Sequence, residues 1–482
     1  MNKSFFAVAA GGASSAFLFY FGTGLAPVAA LTWLAPLPVL LLAPRVRRGT
    51  ALVVAFCAYL LGTANSWAFH LRSHDEPMVP VGLVIILGTS LTFVLTVWLF
   101  RALVAQGRAL PAAFCPAAAW TAVWFIVSAT SPMGLVGTFA NDQGDAPLVL
   151  QSAAVGGMWT VEFLVMFTPC AIAALLSPGL TAGARRRAAA VAVVVFASAL
   201  GFGALRLAGT GGAPQRVAAI APNQFAWAPP VSDNRVAGYV HEIEHLPAGV
   251  RTVVLPEGAF GSDQADPADP TALVLPMRRA AQVRGVDIVL GFVRTKGADH
   301  GNFALVFPAD GGNPVRYLKQ HDLVSPRGHD LVFSPGTGTG VEICADLNFA
   351  RPSRDYGAEG ATLFAVPAAD NNENGWQHSR TAMLRGVENG IPVVWSGQNG
   401  TLVISDGWGR VLAQAHTGGP GPFTTIAAEV RGPGGTVYGR LGDWFAWLCL
   451  VVALGGLIAA LPFRLRRRDR LPASRHIVGS DY

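Results

Sequence analysis

The chain has 482 residues, of which 52% are hydrophobic and only 13% are charged, and its mean hydropathy is +0.42. Because an average soluble protein carries about 25% charged residues, this composition excludes a wholly water-soluble globular protein. The formal net charge of +6 comes largely from arginines beside apolar runs, so it does not indicate a nucleic-acid partner.

Apolar runs that approach the length of a membrane-spanning helix, about 20 residues, fill the first 205 positions and recur near the end. We predict about eight transmembrane helices, over Phe5–Phe21, Ala26–Leu42, Ala51–Phe69, Val79–Phe100, Leu110–Val127, Ala153–Leu176, Ala188–Leu205 and Trp444–Phe463. The first run, preceded by Lys3, also has the pattern of a secretory signal peptide. The further runs directly after it favour a span.

Arginines flank every second loop between these runs. They follow the second, fourth, sixth and eighth spans, at Arg45, Arg47, Arg48, Arg101, Arg108, Arg185, Arg186, Arg187 and in the cluster Arg464–Arg470. Arg72 is the exception, in a loop of the other set. Because cytoplasmic loops retain the excess of Lys and Arg, we expect both termini inside and the segment between the last two spans outside. The final cluster is expected to anchor the chain against anionic lipid.

The sequence therefore divides into an N-terminal membrane domain over 1–209, an extracytoplasmic domain over 210–440, and a last transmembrane helix with a basic cytoplasmic tail over 441–482. At about 230 residues the outer segment is long enough to bury a full core. It holds one of the five cysteines, Cys344. A lone thiol in an oxidising compartment is either a buried bystander or a reactive group.

Short β-rich runs alternate with helical patterns in the outer segment, which favours an α/β layered fold. The predicted strands are Arg216–Ala221, Thr252–Leu255, Asp287–Phe292, Phe303–Phe307, Gly340–Cys344, Thr362–Val366, Pro392–Trp395, Thr401–Ser405 and Thr424–Ala428. The predicted helices are Asn234–His245, Pro270–Arg284 and Gln377–Asn389.

Three chemically active side chains lie at or just after strand ends, where sites assemble in layered α/β folds. They are Glu257 in "VVLPEGAF", Lys319 in "VRYLKQHDLVSP" and Cys344 in "GVEICADL". If they converge, the Lys favours the thiolate and can hold an oxyanion, and the Glu can take and return a proton. The alternative for each is an inert thiol, a solvated carboxylate or a surface lysine.

The order Glu, Lys, Cys in these motifs resembles the nitrilase superfamily, which implies an α-β-β-α sandwich with a Glu–Lys–Cys triad. Placed between a group of membrane helices and one last helix, such a domain resembles the apolipoprotein N-acyltransferase family. "FGTGLAPVAALTWLAPLPVLLLA", "LLGTANSWAFHL", "APNQFAWAP" and "GWQHSRTAMLRGVENGIPVV" support the likeness. It covers nearly the whole chain.

The resemblance implies acyl transfer at the bacterial cytoplasmic membrane, with the catalytic domain on the extracytoplasmic side. Cys344 would take an acyl chain from a phospholipid as a thioester and pass it to the N-terminal amine of a diacylglyceryl-cysteine lipoprotein. Glu257 would be the acid–base group and Lys319 the oxyanion partner. No cofactor is implied, and the scattered His residues lack metal-ligand spacing.

Two positions depart from the family pattern. The family commonly has "LVPFGE" after the Lys, but here the segment is "DLVSPRGHDL", so that His329 falls near the expected Glu, about two residues later. The family often has "CYE" at the thiol, but here Ala345 and Asp346 follow Cys344. His329 either hydrogen-bonds in the Glu's place, marks altered activity, or is a loop residue.

Several other residues have a functional and a structural interpretation. Trp227, Phe225 and Trp376 either line a lipid portal or are ordinary core or surface aromatics, and Glu162 within the sixth span is either functional or close to the interface. We carry Trp227, His329, Asp346 and Trp376 as candidate substrate-binding residues. The rival functions are a membrane-anchored amidase of the nitrilase type and a non-catalytic relative that binds lipoproteins.

Overall fold

A computed structural model of the protein describes residues 3–73, 77–262, 270–296 and 300–461. The basic cluster Arg464–Arg470 and the last two residues of the predicted eighth span lie outside these ranges. The described chain begins as a helical bundle and continues, from residue 215, as a domain of strands and helices.

The bundle consists of helices of very unequal length. They are α1 (Lys3–Gly22), α2 (Ala29–Thr32), α3 (Leu37–Leu42), α4 (Arg48–Gly62), α5 (Ala64–Arg72), α6 (Leu83–Ala105), α7 (Ala109–Thr130), α8 (Phe139–Asp142), α9 (Pro147–Leu150), α10 (Ala153–Gly156), α11 (Met158–Leu176) and α12 (Ala182–Ala208). The later helices are α13 (Asp233–Glu244), α14 (Leu275–Arg284), α15 (Ser353–Ala358), α16 (Gly375–Asn389), α17 (Val437–Leu441) and α18 (Trp444–Ala460).

Within the described ranges, five helical segments are long and apolar enough to cross a membrane. They are Phe5–Gly22, Met78–Ala105, Ala109–Thr130, Met158–Leu176 and Ala182–Ala208. The pair α4 and α5, bent by 52°, would make a sixth. The predicted second span is divided into the short helices α2 and α3, with Pro36 at the break, and α18 has 17 described residues. The count of eight therefore stays a prediction.

Glu162 lies inside the bundle, fully buried on α11. Its carboxylate accepts hydrogen bonds from the Trp120 indole N–H at 2.7 Å and the Ala140 backbone N–H at 2.8 Å. The Trp120 ring stacks on Phe139, with ring centroids 4.8 Å apart. A buried carboxylate needs such partners, so Glu162 ties α7 and α11 to the short helix α8. Both interpretations of Glu162, a functional residue and a residue close to the interface, stay predictions.

Two sheets form the second part of the chain. Their strands are β1 (Gln215–Pro222), β2 (Val250–Val254), β3 (Phe260–Ser262), β4 (Asp287–Arg294), β5 (Gly301–Phe307), β6 (Val315–Leu318), β7 (Phe333–Ser334), β8 (Thr339–Val341), β9 (Leu363–Ala369), β10 (Val393–Gln398), β11 (Thr401–Ser405), β12 (Val411–His416) and β13 (Phe423–Val430). The first sheet has the order β13-β1-β2-β4-β5-β6, with β3 beside β4. The second has the order β12-β11-β10-β9-β8-β7.

Alternate side chains of β1 show how these sheets are packed. Val217 and Ala219 belong to a core shared with β9, β10 and β11 of the second sheet. Ala218 and Ile220 belong to a second core, with residues of α13 and α14. A strand buried on both faces reads as a continuous apolar run, which is why the sequence located these strands to within a few residues.

The second part of the chain is joined to the bundle through a buried polar cluster at the end of α16. Glu388 accepts hydrogen bonds from the Met158 backbone N–H at 2.6 Å and from the Arg385 guanidinium at 2.5 Å. Asp443, directly before α18, accepts from the Trp159 indole N–H at 2.8 Å. These contacts attach the end of α16 and the start of α18 to the start of α11, so they fix the second part of the chain against the bundle.

We expect Glu388→Ala to lower the free energy of unfolding by about 3–5 kcal/mol, because it leaves the Arg385 guanidinium buried without its counter-charge. Thermal or denaturant unfolding of the full-length protein in detergent measures this. Glu429→Ala is the matched control, since Glu429 pairs with Arg431 on the surface at 3.2 Å, where an ion pair contributes at most about 1 kcal/mol. Equal, small effects of both substitutions would refute a buried polar junction.

Candidate active site

Glu257, Lys319 and Cys344 come together although they are far apart in the sequence. Glu257 follows β2 and Lys319 follows β6 in the first sheet, while Cys344 follows β8 in the second. All three are buried, with exposed fractions of 2%, 8% and 6%. The carboxylate and the ammonium thus come from one sheet and the thiol from the other.

Glu257 is held by a close approach of its backbone to β4. A Cβ atom at Gly291 would lie 2.3 Å from the Pro256 carbonyl oxygen and 2.5 Å from Cα of Glu257, so only glycine fits there. Glu257 Oε1 accepts hydrogen bonds from Lys319 Nζ at 2.7 Å and from Asn302 Nδ2 at 2.6 Å. Both bonds converge on one oxygen, and Oε2 is the oxygen through which Glu257 can exchange a proton.

The Lys319 side chain is charged at neutral pH despite its burial. Burial lowers the pKa of Lys319, but the Glu257 carboxylate, and after it Cys344 and Asp346, raise the pKa above its ordinary value on balance. The Lys319 backbone N–H donates to the Asn302 carbonyl at 2.9 Å. Asn302 therefore positions both members of the ion pair, through its backbone and its side chain.

Cys344 does not end a strand, and the prediction of a strand over Gly340–Cys344 is wrong in its second half. β8 ends at Val341, and Cys344 begins a one-turn 3₁₀ helix, Cys344–Asn348. Its φ is +44°, in the left-handed region that costs a residue with a side chain about 1–2 kcal/mol. Strain of this kind clusters at functional sites, and here it places the thiol on a sharp turn between the sheets.

The thiol is surrounded by charges of both signs. Burial, followed by the Glu257 carboxylate, raises the pKa of Cys344 above its ordinary value, while His378 and Lys319 lower it. Sγ lies 3.5 Å from the Ala369 carbonyl oxygen and 4.0 Å from His378 Nδ1. A thiol with a raised pKa needs a base to become a nucleophile, and Glu257 is the carboxylate in range.

Asp346 connects the segments that carry Lys319 and Cys344. Its fully buried carboxylate accepts from the backbone N–H groups of His321 at 2.7 Å, Gln320 at 3.1 Å and Ile343 at 2.9 Å, and from the Tyr317 hydroxyl at 2.7 Å. The first two donors follow Lys319 and the third precedes Cys344. Asp346 thus lies beneath the site as a brace and has no free oxygen directed at a substrate.

Sequence reasoning missed four polar side chains of the site, which are His378, Asp370, Asn348 and Asn302. His378, on α16, lies 3.2 Å from Asp370 Oδ1 and 3.1 Å from Asn348 Oδ1. The one signal in the sequence was the "QHS" within a segment that carried the family likeness. Asn302 gave no signal, because a buried amide in a strand has no characteristic spacing.

The other predicted residues lie at the margins. Trp227 is about half exposed, with its ring over Gly258, the residue after Glu257. Trp376 donates from its indole N–H to Asp145 at 3.1 Å, so it contacts the segment between α8 and α9. His329 is exposed, unlike the three buried residues of the triad.

A cavity of about 190 Å³ lies between the bundle and the loops of the site. Phe125 of α7 and Trp159 of α11 line it from the bundle, and His321, Phe349 and Arg351 line it from the other side. The His321 and Phe349 rings stack with centroids 3.7 Å apart. His321 is two residues from Lys319, so this cavity connects bundle helices with the neighbourhood of the site.

Two family models match the sequence. The model of the apolipoprotein N-acyltransferase N-terminal domain matches residues 15–171, and that of the carbon-nitrogen hydrolases matches residues 216–432. Apolipoprotein N-acyltransferases are among the similar curated proteins. The one from Gloeobacter violaceus is 28% identical over 67% of this chain and 67% of its own length. The one from Geobacter metallireducens is 32% identical over 29% of this chain and about a quarter, 27%, of its own length.

Solved structures of the nitrilase superfamily also match. An amidase from Nesterenkonia has a TM-score of 0.35 and 20% identity, covering 46% of this chain and 93% of its own. Saccharomyces cerevisiae Nit3, of branch 10 of the superfamily, has a TM-score of 0.38 and 19% identity, covering 54% of this chain and 98% of its own.

We expect Asp346→Asn to lower the free energy of unfolding by about 2–3 kcal/mol and to reduce any activity of Cys344, because a neutral amide with one acceptor oxygen cannot satisfy four buried donors. Denaturant unfolding and the rate of thiol alkylation at Cys344 measure the two effects. Asp355→Asn, in an exposed pair with Arg351 at 3.4 Å, is the control. If Asp346→Asn matches this control in both measurements, the carboxylate is not a brace.

Stability should also depend on pH through Glu342, which is buried two residues before Cys344 and accepts from the Ser353 hydroxyl at 2.7 Å. Burial raises the pKa of Glu342 to about 8. Between the ordinary carboxyl pKa and about 8, the folded protein holds a proton that the unfolded chain has released, so stability falls as pH rises through this window.

Glu342→Gln, which cannot ionise, should therefore raise the unfolding temperature more at pH 8.5 than at pH 5. The exposed Glu359→Gln should leave the unfolding temperature unchanged at both pH values. If the unfolding temperatures of Glu342→Gln and the wild type differ by the same amount at pH 5 and at pH 8.5, Glu342 does not hold a proton in the folded protein.

Proposed function

This chain belongs to the apolipoprotein N-acyltransferase family, and from this premise we propose that it moves an acyl chain from a phospholipid to a lipoprotein through a thioester on Cys344. The acceptor is the N-terminal amine of a diacylglyceryl-cysteine. The observation that carries the proposal is the buried ion pair of Lys319 and Glu257. Its two charged atoms lie 2.7 Å apart, and both side chains interact electrostatically with the Cys344 thiol.

In the first step the thiol proton passes to Glu257, and the sulfur attacks the ester carbonyl carbon of the phospholipid. The Lys319 ammonium stabilises the oxyanion that develops on the carbonyl oxygen. When the carbon–oxygen bond breaks, the leaving alkoxide takes the proton back from Glu257. The products are a lysophospholipid and an acyl thioester on Cys344.

In the second step the acceptor amine attacks the thioester carbon and gives a proton to Glu257. The carbon–sulfur bond then breaks, an amide is formed, and the sulfur leaves as a thiolate that recovers the proton from Glu257. The same three side chains serve both steps, because each step needs a base, an oxyanion partner and an acid in turn.

The membrane setting supports lipid substrates. We propose eight transmembrane helices, the domain division at 209 and 440, an α-β-β-α sandwich outside the cytoplasm, and a bacterial cytoplasmic membrane location. A donor and an acceptor that are both lipid-anchored would then reach the site without leaving the bilayer. Each buried CH₂ of an acyl chain contributes about 0.8 kcal/mol, so a long chain supplies much of the binding energy.

Trapping the thioester tests the proposal. Full-length protein in vesicles of an isotope-labelled phospholipid should gain one acyl mass on the Cys344 peptide, removed by neutral hydroxylamine, with an equal amount of lysophospholipid. A diacylglyceryl-cysteine peptide should then discharge the thioester to an amide. Cys344→Ala should lower acyl transfer by a factor on the order of 10³ or more, as expected for loss of a covalent nucleophile.

Two outcomes would refute the proposal in different ways. Discharge to water with no amide would assign the site to a hydrolase of the amidase type. A Cys344 that never gains an acyl mass, in protein that unfolds cooperatively, would make the chain a non-catalytic binding protein. Cys57→Ala, at an exposed cysteine of α4, is the control that should keep the thioester.

A further inference from the structure

Four neighbouring side chains fix the orientation of the His378 ring. It lies on the first turns of α16, and the Trp395 ring of β10 packs against it edge-on, with centroids 4.8 Å apart. Nδ1 lies 3.2 Å from Asp370 Oδ1 and 4.0 Å from Sγ of Cys344, and Nε2 lies 3.1 Å from Asn348 Oδ1. The ring is therefore held in one orientation at the nucleophile.

Both ring nitrogens face hydrogen-bond acceptors. The Asp370 carboxylate can only accept while it is ionised. Asn348 donates through Nδ2 to the Met133 carbonyl at 3.3 Å, which leaves its Oδ1 directed at the ring. A neutral imidazole has one N–H and could satisfy only one of these acceptors, so the hydrogen-bond network assigns a proton to each nitrogen.

We propose that His378 is an imidazolium at neutral pH and serves as the counter-ion of the Cys344 thiolate. This inference rests on the proposed function, and it deepens that function by naming a separate residue that stabilises the negative charge of the sulfur. Lys319 is already engaged with Glu257 at 2.7 Å, whereas no described acid other than Asp370 is bonded to His378. The thiolate formed in each half-reaction thus faces a cation that it does not share with the base.

Proton transfer and charge stabilisation are then divided between two side chains. A doubly protonated ring cannot take up the thiol proton, so the proton passes to Glu257, and the S–H bond is replaced by an imidazolium–thiolate ion pair. Net charge is unchanged in this step, because Glu257 becomes neutral as the sulfur becomes anionic. On this assignment the histidine is not the base of a Cys–His pair.

The titration behaviour of the site agrees with this assignment. Burial lowers the pKa of His378, but Cys344 and Asp370 raise it, and on balance it lies at about 10. Burial and Glu257 raise the pKa of Cys344, and His378 lowers this pKa more than Lys319 does. The charged and titratable groups around the ring are thus Cys344 and Asp370 in contact, with Glu257 and Lys319 beyond the sulfur.

The pH dependence of Cys344 alkylation tests the inference. Purified full-length protein in detergent is treated with iodoacetamide from pH 6 to 10, and the Cys344 peptide is quantified by mass spectrometry, which separates it from the other four cysteines. We expect His378→Gln, which is neutral but can still hydrogen-bond, to slow alkylation about tenfold at neutral pH. The profile should move up by about one pH unit, the equivalent of that factor.

Asp370→Asn provides a second, independent variant. It keeps the imidazole but removes the carboxylate that holds its second proton, so it should move the profile in the same direction by a smaller amount. His241→Gln is the control, because His241 is exposed on α13, and its profile should match the wild type. If His378→Gln fails to fold, Asp370→Asn carries the test.

Profiles of His378→Gln and Asp370→Asn that superimpose on the wild type would overturn the inference and leave His378 as a packing residue. Alkylation needs neither a phospholipid nor a lipoprotein. A shifted profile without thioester formation would therefore refute the proposed function alone, and thioester formation with unshifted profiles would refute only the role of His378.

Discussion

The site depends on one constraint, which is that two separate sheets must present their loops at a fixed distance. The Asp346 carboxylate meets this constraint, since its four donors come from the chain on both sides of the active-site gap. Arg385 adds a further bond to the same segment, since its guanidinium donates to the Leu347 carbonyl at 3.1 Å. A buried ion pair and a strained thiol persist only where surrounding bonds over-determine them, and this network supplies those bonds.

The sequence predicted the parts of the fold that a local pattern encodes. Continuous apolar runs located the central strands, and the strands before Glu257, Lys319 and Cys344 pointed to these side chains, although β8 ends three residues before Cys344. Residues that act across distance were not predictable. Asn302 and Asp370 carry no spacing signal, and the β-branched pattern before Cys344 hid a left-handed turn. The family likeness, carried by several segments together, contributed more than any one motif.

The two departures from the family pattern have different structural weight. His329 is exposed, so a change at that position does not alter the charges next to the sulfur. Asp346 has a shorter side chain than the usual Glu, yet it reaches donors on both sides of the gap at 2.7–3.1 Å. The substitution inside the buried site is the one that the surrounding backbone accommodates, while the substitution outside it has no described contact with the triad.

Helix α16 makes the site and the bundle one mechanical unit. Near its start His378 lies beside the thiol, and near its end Glu388 accepts a hydrogen bond from the backbone N–H of Met158, the first residue of α11. A helix of 15 residues is about 22 Å long and stiff, so it holds the His378 ring, 4.0 Å from the sulfur, at a fixed distance from the bundle. In the proposed reaction the acyl ester would come to the sulfur, and the flexibility of its own chain, rather than a movement of Cys344, would supply the fit.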